Sequence, residues 1–187
     1  MVNVTVTNAV TLAVSPERVW DYTQDYRERP TWDASVLEAE VEQELPTRVV
    51  RVRGVGGMKF RFRYKVFARP TKTSLVMTDV DSIIFSGGGG SWVYEQDGEG
   101  ARWTQHNTLT FRSSVVGWLL GPLVRWQLRR ACVRAMRRAK ELLEAAPQDR
   151  WSALEDMAIF DEADVRRLFD VALAKAKVPL DPKQRTM

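Results

Sequence analysis

Apolar and cationic residues alternate strictly from Met58 to Val66 in segment 58–68, which reads MKFRFRYKVFA. Because successive side chains of a strand point to opposite faces, one face would carry the apolar side chains and the other the cationic ones. One buried and one solvated face are typical of an antiparallel sheet, and the pattern excludes a parallel sheet covered by helices on both sides. The predicted inner face consists of Met58, Phe60, Phe62, Tyr64 and Val66.

Further segments with strand-like patterns precede and follow this one, and most are separated by glycine, proline or short polar stretches. Short connections between consecutive strands predict an antiparallel meander. A run of four glycines, Gly87 to Gly90, is interpreted as a flexible hairpin between two strands. The predicted strands are 2–14, with an irregularity near Asn8, and then 36–42, 48–53, 58–68, 74–81, 91–96 and 102–112.

Two helices are predicted in the same part of the chain. Ser15 followed by Pro16 is typical of an N-cap and a first helical position, and Arg29-Pro30 ends that helix before a turn that holds Trp32. After the last strand the apolar period changes to 3.6 residues, which predicts a long amphipathic helix from Pro122 to Ala145. That helix would be about 36 Å long, enough to cross the sheet.

The core domain is predicted to span 1–146, and a helical C-terminal extension is predicted over 147–187. Ala146-Pro147 marks the boundary, and Asp161 is a candidate cap for a helix in the extension. A helix of that length is not stable alone in water, so we expect it to dock on something.

Composition excludes several function classes. The 187 residues include one cysteine, Cys132, and one histidine, His106, so an intramolecular disulfide and a cysteine- or histidine-rich metal site are excluded. No cofactor motif is found, because Gly87 to Gly90 lacks the Lys-Ser/Thr of a phosphate-binding loop. Without a signal segment or a long apolar run, the sequence predicts a soluble cytoplasmic protein.

The net charge of +4 raises the question of an anionic partner, and much of the excess lies on the long helix. Nucleic acid is not expected, because no aromatic residues interleave with the arginines on its polar face to stack bases. Docking on an anionic membrane surface is an alternative, but a solvated or internally paired arginine face is favoured. The sequence leaves the oligomeric state open. The arginines concerned are Arg130, Arg134, Arg137 and Arg138.

Three segments together resemble a known superfamily over residues 2–145. They are SPERVWDYTQDYRERPTW near the start, GGGGSWVYEQ with RWTQHNTLTF, and LLGPLVRWQLRRACVRAMRRAKELLE at the end. This order resembles the START-like or Bet v 1-like (SRPBCC) superfamily, including its polyketide cyclase and dehydrase-related group. The resemblance implies an α+β helix-grip fold, in which a curved antiparallel sheet of six to seven strands wraps around a long C-terminal helix and leaves a cavity. The segment after Pro147 departs from the minimal pattern of the family.

Members of the superfamily are described as binders of lipids, sterols, polyketides, quinones and plant hormones, and a minority as cyclases, dehydratases or hydrolases. For this chain we predict binding of a small hydrophobic molecule, with plain core filling as the alternative for its aromatics. Tyr64, Tyr94, Gln105 and Asn107 would orient the ligand, while Trp32 and the glycine hairpin would form the entrance. The predicted ligand-binding set is Trp32, Phe60, Phe62, Tyr64, Met77, Trp92, Tyr94, Trp103, Gln105, Asn107, Val124 and Leu128.

The last strand places Gln105 and Asn107 on the same face as Trp103, so His106 would point to solvent unless a bulge changes the phase. An enzyme alternative is a cyclase or dehydratase that uses Tyr64, Tyr94 or Asp79 for proton transfer. Asp79 would face inward if Met77 does, and otherwise would be solvated or paired with an arginine. A second alternative is a peripheral lipid carrier that docks by its basic helix.

Overall fold

The computed structural model describes residues 1–145 of the chain. A seven-stranded antiparallel sheet has the strand order β1-β7-β6-β5-β4-β3-β2, and one long helix follows it in the chain. The predicted α+β helix-grip architecture is confirmed. The elements are β1 (Asn3–Leu12), α1 (Pro16–Gln24), α2 (Arg29–Trp32), β2 (Val36–Gln43), β3 (Val49–Gly54), a 3-10 turn (Val55–Gly57), β4 (Lys59–Ala68), β5 (Lys72–Asp81), β6 (Phe85–Asp97), β7 (Gly100–Phe111) and α3 (Ser114–Ala145).

Helix α1 begins where the sequence predicts. Ser15 is the N-cap, its side chain accepts a hydrogen bond from the Arg18 N–H at 3.4 Å, and Pro16 takes the first helical position. The inner face of α1 is fully buried through Val19, Trp20 and Thr23. The helix is therefore fixed by its cap at one end and by core packing along one side.

Helix α3 begins eight residues before the predicted start, so Pro122 lies inside it. The signal missed is at Ser113, whose backbone carbonyl accepts from the Gly117 N–H at 2.9 Å and whose hydroxyl accepts from the Val116 N–H at 3.4 Å. Proline removes one internal hydrogen bond of a helix without forbidding its continuation. Here the first turn is also held by close packing, since a Cβ on Gly117 would lie 2.7 Å from the Val2 side chain.

The four glycines do not form a hairpin, and that prediction is wrong. They belong to β6, and the connection between β5 and β6 is formed by residues 82–84 instead. The neighbouring strands approach so closely that a Cβ on Gly88 would lie 2.4 Å from the Thr108 carbonyl oxygen, and one on Gly89 2.7 Å from that of Leu75. Because glycine has no side chain, this part of β6 shows no apolar pattern at its inner positions. Its sequence therefore resembles that of a turn.

Two register shifts interrupt the pairing of β4 with β5. Arg61 pairs with Thr78 but Lys59 pairs with Asp81, so β5 carries one extra residue, and Asp79 has a positive φ of 52°. The second shift lies between the pairs Tyr64–Leu75 and Val66–Ser74, so β4 carries an extra residue there. Each bulge reverses the face on which the subsequent side chains lie.

Because of the second bulge, the predicted inner face of β4 is wrong at the C-terminal end of the strand. Val66 is 38% exposed. Phe67 is itself 46% exposed, but its ring packs on those of Trp20 and Tyr64, with ring centroids 5.3 Å apart in both pairs. After Tyr64 it is therefore Phe67 that contacts the aromatic core, although its side chain is not buried. The alternation predicted for residues 58–64 holds, because no bulge intervenes between Arg61 and Tyr64.

The buried apolar residues form two clusters. One unites α1, α3 and the paired strands β6 and β7 around Trp20, Trp103 and Ala139. The other joins β3 and β4 around Val50, Phe60 and Tyr64. The helix predicted for the C-terminal extension lies outside the described residues, as does the boundary at Pro147.

Candidate functional site

A cavity of about 250 Å³ lies among α2, the sheet and α3. Its wall takes residues from both apolar clusters, together with the 3-10 turn after β3. The lining residues are Tyr26, Arg29, Asp33, Ser35, Val36, Gly54, Val55, Met58, Phe60, Phe62, Leu75, Met77, Gly89, Trp92, Gln105, Asn107, Thr108, Leu109, Leu128, Ala131, Cys132 and Ala135.

Part of the predicted ligand-binding set lies in this wall, and part lies elsewhere. The strands contribute six of the predicted residues and α3 contributes one. Trp32, Tyr64, Tyr94, Trp103 and Val124 do not line the cavity. The predicted residues that do line it are Phe60, Phe62, Met77, Trp92, Gln105, Asn107 and Leu128.

Tyr64 and Tyr94 form a hydrogen-bond network that holds α1 on the sheet. The Tyr94 hydroxyl accepts from the Gln24 Nε2 at 2.9 Å and contacts the Thr23 hydroxyl at 2.8 Å. The Tyr64 hydroxyl donates to the Gln24 Oε1 at 2.9 Å and lies 2.7 Å from the Tyr26 hydroxyl. Gln24 thus joins both phenols, and neither is directed at the cavity.

The electrostatics of this network also disfavour the two tyrosines as proton-transfer groups. Burial raises the pKa of both the Tyr64 and the Tyr94 hydroxyl above the ordinary tyrosine value. Both phenols therefore stay neutral at physiological pH, and each becomes a weaker acid than a solvated tyrosine. A general acid or base works best with a pKa near the working pH, and these two lie far from it.

Trp103 and Trp32 form the packed layer behind the cavity. Trp103 is fully buried, contacts Trp32 and Trp92 edge-to-face at centroid distances of 5.7 and 5.4 Å, and stacks parallel to Tyr94.

Trp32 also borders a surface groove beside α3, and that groove shares Ser35, Val55, Ala131 and Ala135 with the cavity wall. The groove between the 3-10 turn and α3 is therefore the candidate entrance, in place of the glycine segment.

The predicted inward orientation of Asp79 is wrong. Its side chain is 63% exposed and forms an ion pair with Arg61 at 3.1 Å, on the cationic face of β4. The physical reason is the bulge in β5, because the extra residue separates the phase of Asp79 from that of Met77, which does line the cavity. Asp79 is therefore paired with an arginine, as in the second of the two alternatives that the sequence left open.

An ion pair in the cavity wall was not predicted. Arg29 and Asp33 contact each other at 2.7 Å with side chains only 10% and 9% exposed, and the guanidinium lies over the rings of Trp32 and Trp92 at 4.4 and 4.6 Å. Burial acts against the charge of Arg29, but Asp33 and Tyr26 outweigh it, so the pKa of Arg29 is raised. The four-residue spacing of Arg29 and Asp33 in RPTWD was an available signal.

Three polar side chains from neighbouring strands are joined by hydrogen bonds in the same wall. The Trp92 Nε1 donates to the Asn107 Oδ1 at 3.5 Å, and the Asn107 Nδ2 donates to the Gln105 Oε1 at 3.1 Å and to the Cys132 Sγ at 3.4 Å. Burial raises the pKa of the Cys132 thiol, so its sulfur is protonated at neutral pH. His106 lies on the other face of β7, where its Nδ1 contacts the Thr7 hydroxyl at 2.9 Å, so its predicted outward orientation is confirmed.

Neither a metal site nor a membrane span appears in the part of the chain that the structure describes. Within residues 1–145, no group of three or more His, Cys, Asp or Glu side chains has a metal-holding arrangement. Over the same residues, no helix combines the length and apolar character needed to cross a bilayer.

Comparison with protein families decides the relationship. Residues 1–144 match the model of a family described as polyketide cyclase / dehydrase and lipid transport. The chain belongs to this family. A comparison with curated proteins finds no match.

Solved structures with the same fold support the superfamily assignment. A Thermus thermophilus protein, TTHA0849, is 22% identical with a TM-score of 0.63, over 78% of this chain and 99% of that one. The Zhui aromatase/cyclase of Streptomyces sp. R1128 is 17% identical with a TM-score of 0.64, over 76% and 94%. A START superfamily protein of Mycobacterium smegmatis is 15% identical with a TM-score of 0.61, over 74% and 98%. The predicted START-like relationship rests on the family match over residues 1–144, and at these identities the solved structures confirm the fold.

Proposed function

We propose that this protein binds a small hydrophobic molecule, aromatic or polyketide-like, in the cavity between the sheet and α3. The observation that supports this most is an unfilled apolar space with a few convergent polar groups in its wall. Ligand sites in proteins typically have this composition. A solid core would instead fill the space with side chains to the density of an organic crystal.

The size of the cavity sets the size of the guest. A cavity of about 150 Å³ in another protein binds benzene, and drug-sized ligands occupy pockets of about 300 Å³ and more. At about 250 Å³, this cavity suits a molecule of two or three fused rings, or a short acyl chain of similar volume. A longer ligand would extend into the groove that borders Trp32 and Ala131.

The cyclase or dehydratase alternative draws less support from the geometry. Tyr64 and Tyr94 are engaged with Gln24 behind the wall, and Asp79 is paired with Arg61 on the outside. The ionisable pair that does line the cavity, Arg29 with Asp33, is mutually neutralised. Binding therefore needs only the groups present, whereas catalysis would need one of these groups to leave its partner.

A direct binding measurement tests the proposal. We expect the purified full chain to bind 2-acetylnaphthalene with one-to-one stoichiometry in isothermal titration calorimetry, with a negative heat-capacity change from apolar burial. Native mass spectrometry of the same preparation would show whether a hydrophobic molecule is retained from the expression host. Absence of binding to this probe and to one-ring and three-ring aromatic ketones, in protein free of a retained molecule, would contradict the proposal.

A specific surface of α3 favours a second candidate function, that of a peripheral lipid carrier. Its first turns carry large apolar side chains in water, including Trp118, which is 80% exposed, and Leu119, which is 68% exposed. Exposed apolar patches on this scale mark interaction sites. The other members of this surface, here called the apolar face of α3, are Val115, Leu123 and Trp126.

The charges around this face fit an anionic lipid surface. Residues 112–140 contain no Asp or Glu, and they include seven arginines and one lysine. An amphipathic helix with Trp and Leu on one face and Arg beside them is typical of helices that lie in a membrane interface. A second copy of the chain is a poor occupant, because two such basic faces would repel each other.

We expect the full chain to bind phosphatidylcholine vesicles only when they contain phosphatidylglycerol, and to dissociate between 0.1 and 1 M salt, as the Debye length falls from about 10 to about 3 Å. Trp118→Ser should weaken this binding by about tenfold in a vesicle sedimentation assay, because one apolar anchor is lost. The control is Val66→Ser on β4, which is 38% exposed and outside the apolar face of α3. Equal affinity for neutral and anionic vesicles, or no binding to either, would contradict this function.

A further inference from the structure

A buried amide in the cavity wall carries an unused hydrogen-bond donor. Gln105 is 3% exposed, and its Oε1 accepts from the Asn107 Nδ2. Its Nε2 has no hydrogen-bond partner within residues 1–145. Buried polar groups are almost always paired in folded proteins, so an unpaired donor beside an empty cavity indicates a group that a ligand satisfies.

The orientation of this amide follows from the indole of Trp92. An indole N–H donates and never accepts, so the atom of Asn107 that lies 3.5 Å from the Trp92 Nε1 must be its carbonyl oxygen. The Asn107 Nδ2 then points away from Trp92, towards Gln105 and Cys132. Turning the Asn107 side chain by 180° would set two donors against each other at Trp92.

The same reasoning fixes Gln105. Because Asn107 presents a donor, the Gln105 atom 3.1 Å away must be the acceptor Oε1, which leaves the two N–H bonds of Nε2 directed elsewhere. The strand register supports this chain of contacts, since Trp92 lies opposite Gln105 and Gly90 opposite Asn107. A Cβ on Gly90 would come within 2.6 Å of the His106 carbonyl oxygen and 2.9 Å of the Asn107 Oδ1, so the glycine makes room for the close approach of β7 and for the amide.

Other polar groups in the wall do not compete for the same role. Arg29 is charge-paired with Asp33, and Asp33 also accepts from the Ser35 backbone N–H at 3.1 Å. Cys132 is a neutral thiol, which is a weak donor and a weak acceptor. Gln105 is therefore the polar group in the wall whose buried donor most clearly lacks a hydrogen-bond partner.

The geometry points to a ligand that carries a carbonyl acceptor on an apolar ring system, such as an aryl ketone, a quinone or an aryl ester, with its oxygen bound to the Gln105 Nε2. This inference rests on the proposed function and specifies the chemistry of its ligand. A hydrocarbon of the same shape would fill the cavity but leave the donor buried and unpaired. The hydrogen bonds from Trp92 to Asn107 and from Asn107 to Gln105 thus give the cavity a preference for acceptors, because the indole N–H that sets their direction is bonded to Asn107 and not to the ligand.

A matched pair of probes tests the inference on the wild-type protein. 2-Acetylnaphthalene and 2-isopropenylnaphthalene have nearly the same shape, and only the first has a carbonyl oxygen. We expect the ketone to bind about tenfold more tightly or better in calorimetry, because satisfying a buried donor adds the contribution of one hydrogen bond. No substitution is needed for this comparison, so folding of a variant does not limit it.

Two substitutions then locate the preference. Gln105→Leu should bring the ratio of the two dissociation constants close to one, mainly through weaker binding of the ketone. Trp92→Phe removes the indole donor, so Asn107 and Gln105 become free to turn, and the ratio of the two dissociation constants should fall whatever the change in absolute affinity. Gln96→Leu is the control, since Gln96 is an exposed glutamine on β6 whose Nε2 bonds to the Gly98 carbonyl, and it should leave the ratio unchanged.

The possible outcomes distinguish the acceptor preference from the proposed binding function on which it rests. Equal binding of both probes by the wild type would overturn the acceptor preference while leaving the cavity as a binding site. A preference that survives unchanged in Gln105→Leu would also overturn it, because the selecting donor would lie elsewhere. Failure of both probes to bind would overturn the inference, and failure of the one-ring and three-ring aromatic ketones as well would overturn the binding function.

Discussion

Cys132→Phe is expected to weaken binding of 2-acetylnaphthalene about 100-fold while the protein stays folded. Cys132 lies on the α3 side of the cavity wall, and a phenyl ring at this position would occupy the space that the guest needs. Loss of roughly 3 kcal/mol of apolar burial corresponds to a fall in affinity of about 100-fold. Calorimetric titration of the variant measures this effect.

Val133→Phe is the matched control for this prediction. Val133 is the next residue of α3, is 38% exposed and does not line the cavity, so the same ring added there should leave affinity unchanged. Urea unfolding of both variants shows whether either is destabilised, since overpacking a filled core costs about 1–3 kcal/mol. Unchanged probe affinity in Cys132→Phe would mean that the probe binds outside this cavity.

Arg29→Met is expected to lower the free energy of unfolding by about 3–5 kcal/mol, because it leaves the Asp33 carboxylate buried without its countercharge. The pair is nearly inaccessible to water, and the Arg29 guanidinium is also packed over two tryptophans. Urea denaturation monitored by tryptophan fluorescence measures the change. Part of the loss would come from these ring contacts and not from charge.

A double substitution separates these contributions. Arg29→Met combined with Asp33→Leu removes both charges, so it should recover most of the loss, and the interaction energy from the four proteins isolates the pair. Arg27→Met is the control, because Arg27 pairs with Asp25 at the same 2.7 Å distance but its side chain is 89% exposed. That variant should lose far less stability than Arg29→Met, because water screens an ion pair as exposed as this one. Equal losses at Arg29 and Arg27 would contradict the assignment of a buried, structurally demanding pair.

Much of the architecture could be predicted from the sequence because it depends on periodicity. Two of these signals are local: the alternation at Phe60 and Phe62, and the serine cap of α1. Local signals of this kind predict the structure that their own residues adopt in the folded protein. The outward position of His106 resulted from the same period of two. Six of the seven predicted cavity-lining residues lie where the phase was assigned correctly, and the seventh, Met77, lies on β5, whose phase the sequence left open.

The errors arise where one extra residue or one missing side chain breaks the pattern. The bulge at Asp79 and the one beside Val66 leave no mark in composition, yet each reverses the face on which the next side chains of its strand lie. Gly88 carries no side chain from which a face could be inferred. The buried pair of Arg29 and Asp33 was missed because charged residues usually lie at the surface, and only tertiary packing places these two inside.

The glycines of β6 also determine how the cavity wall can vary. Gly88 gives its space to the Met77 sulfur, which would lie 3.0 Å from a Cβ at that position, and Gly90 gives its space to Asn107. A methyl group at Gly88 would also lie 2.4 Å from the Thr108 carbonyl oxygen, and one at Gly90 would lie 2.6 Å from that of His106. Alanine at either site is therefore expected to displace the backbone of β7 as well as a side chain that faces the guest, so a homologue bearing alanine there should accommodate a differently shaped molecule or none.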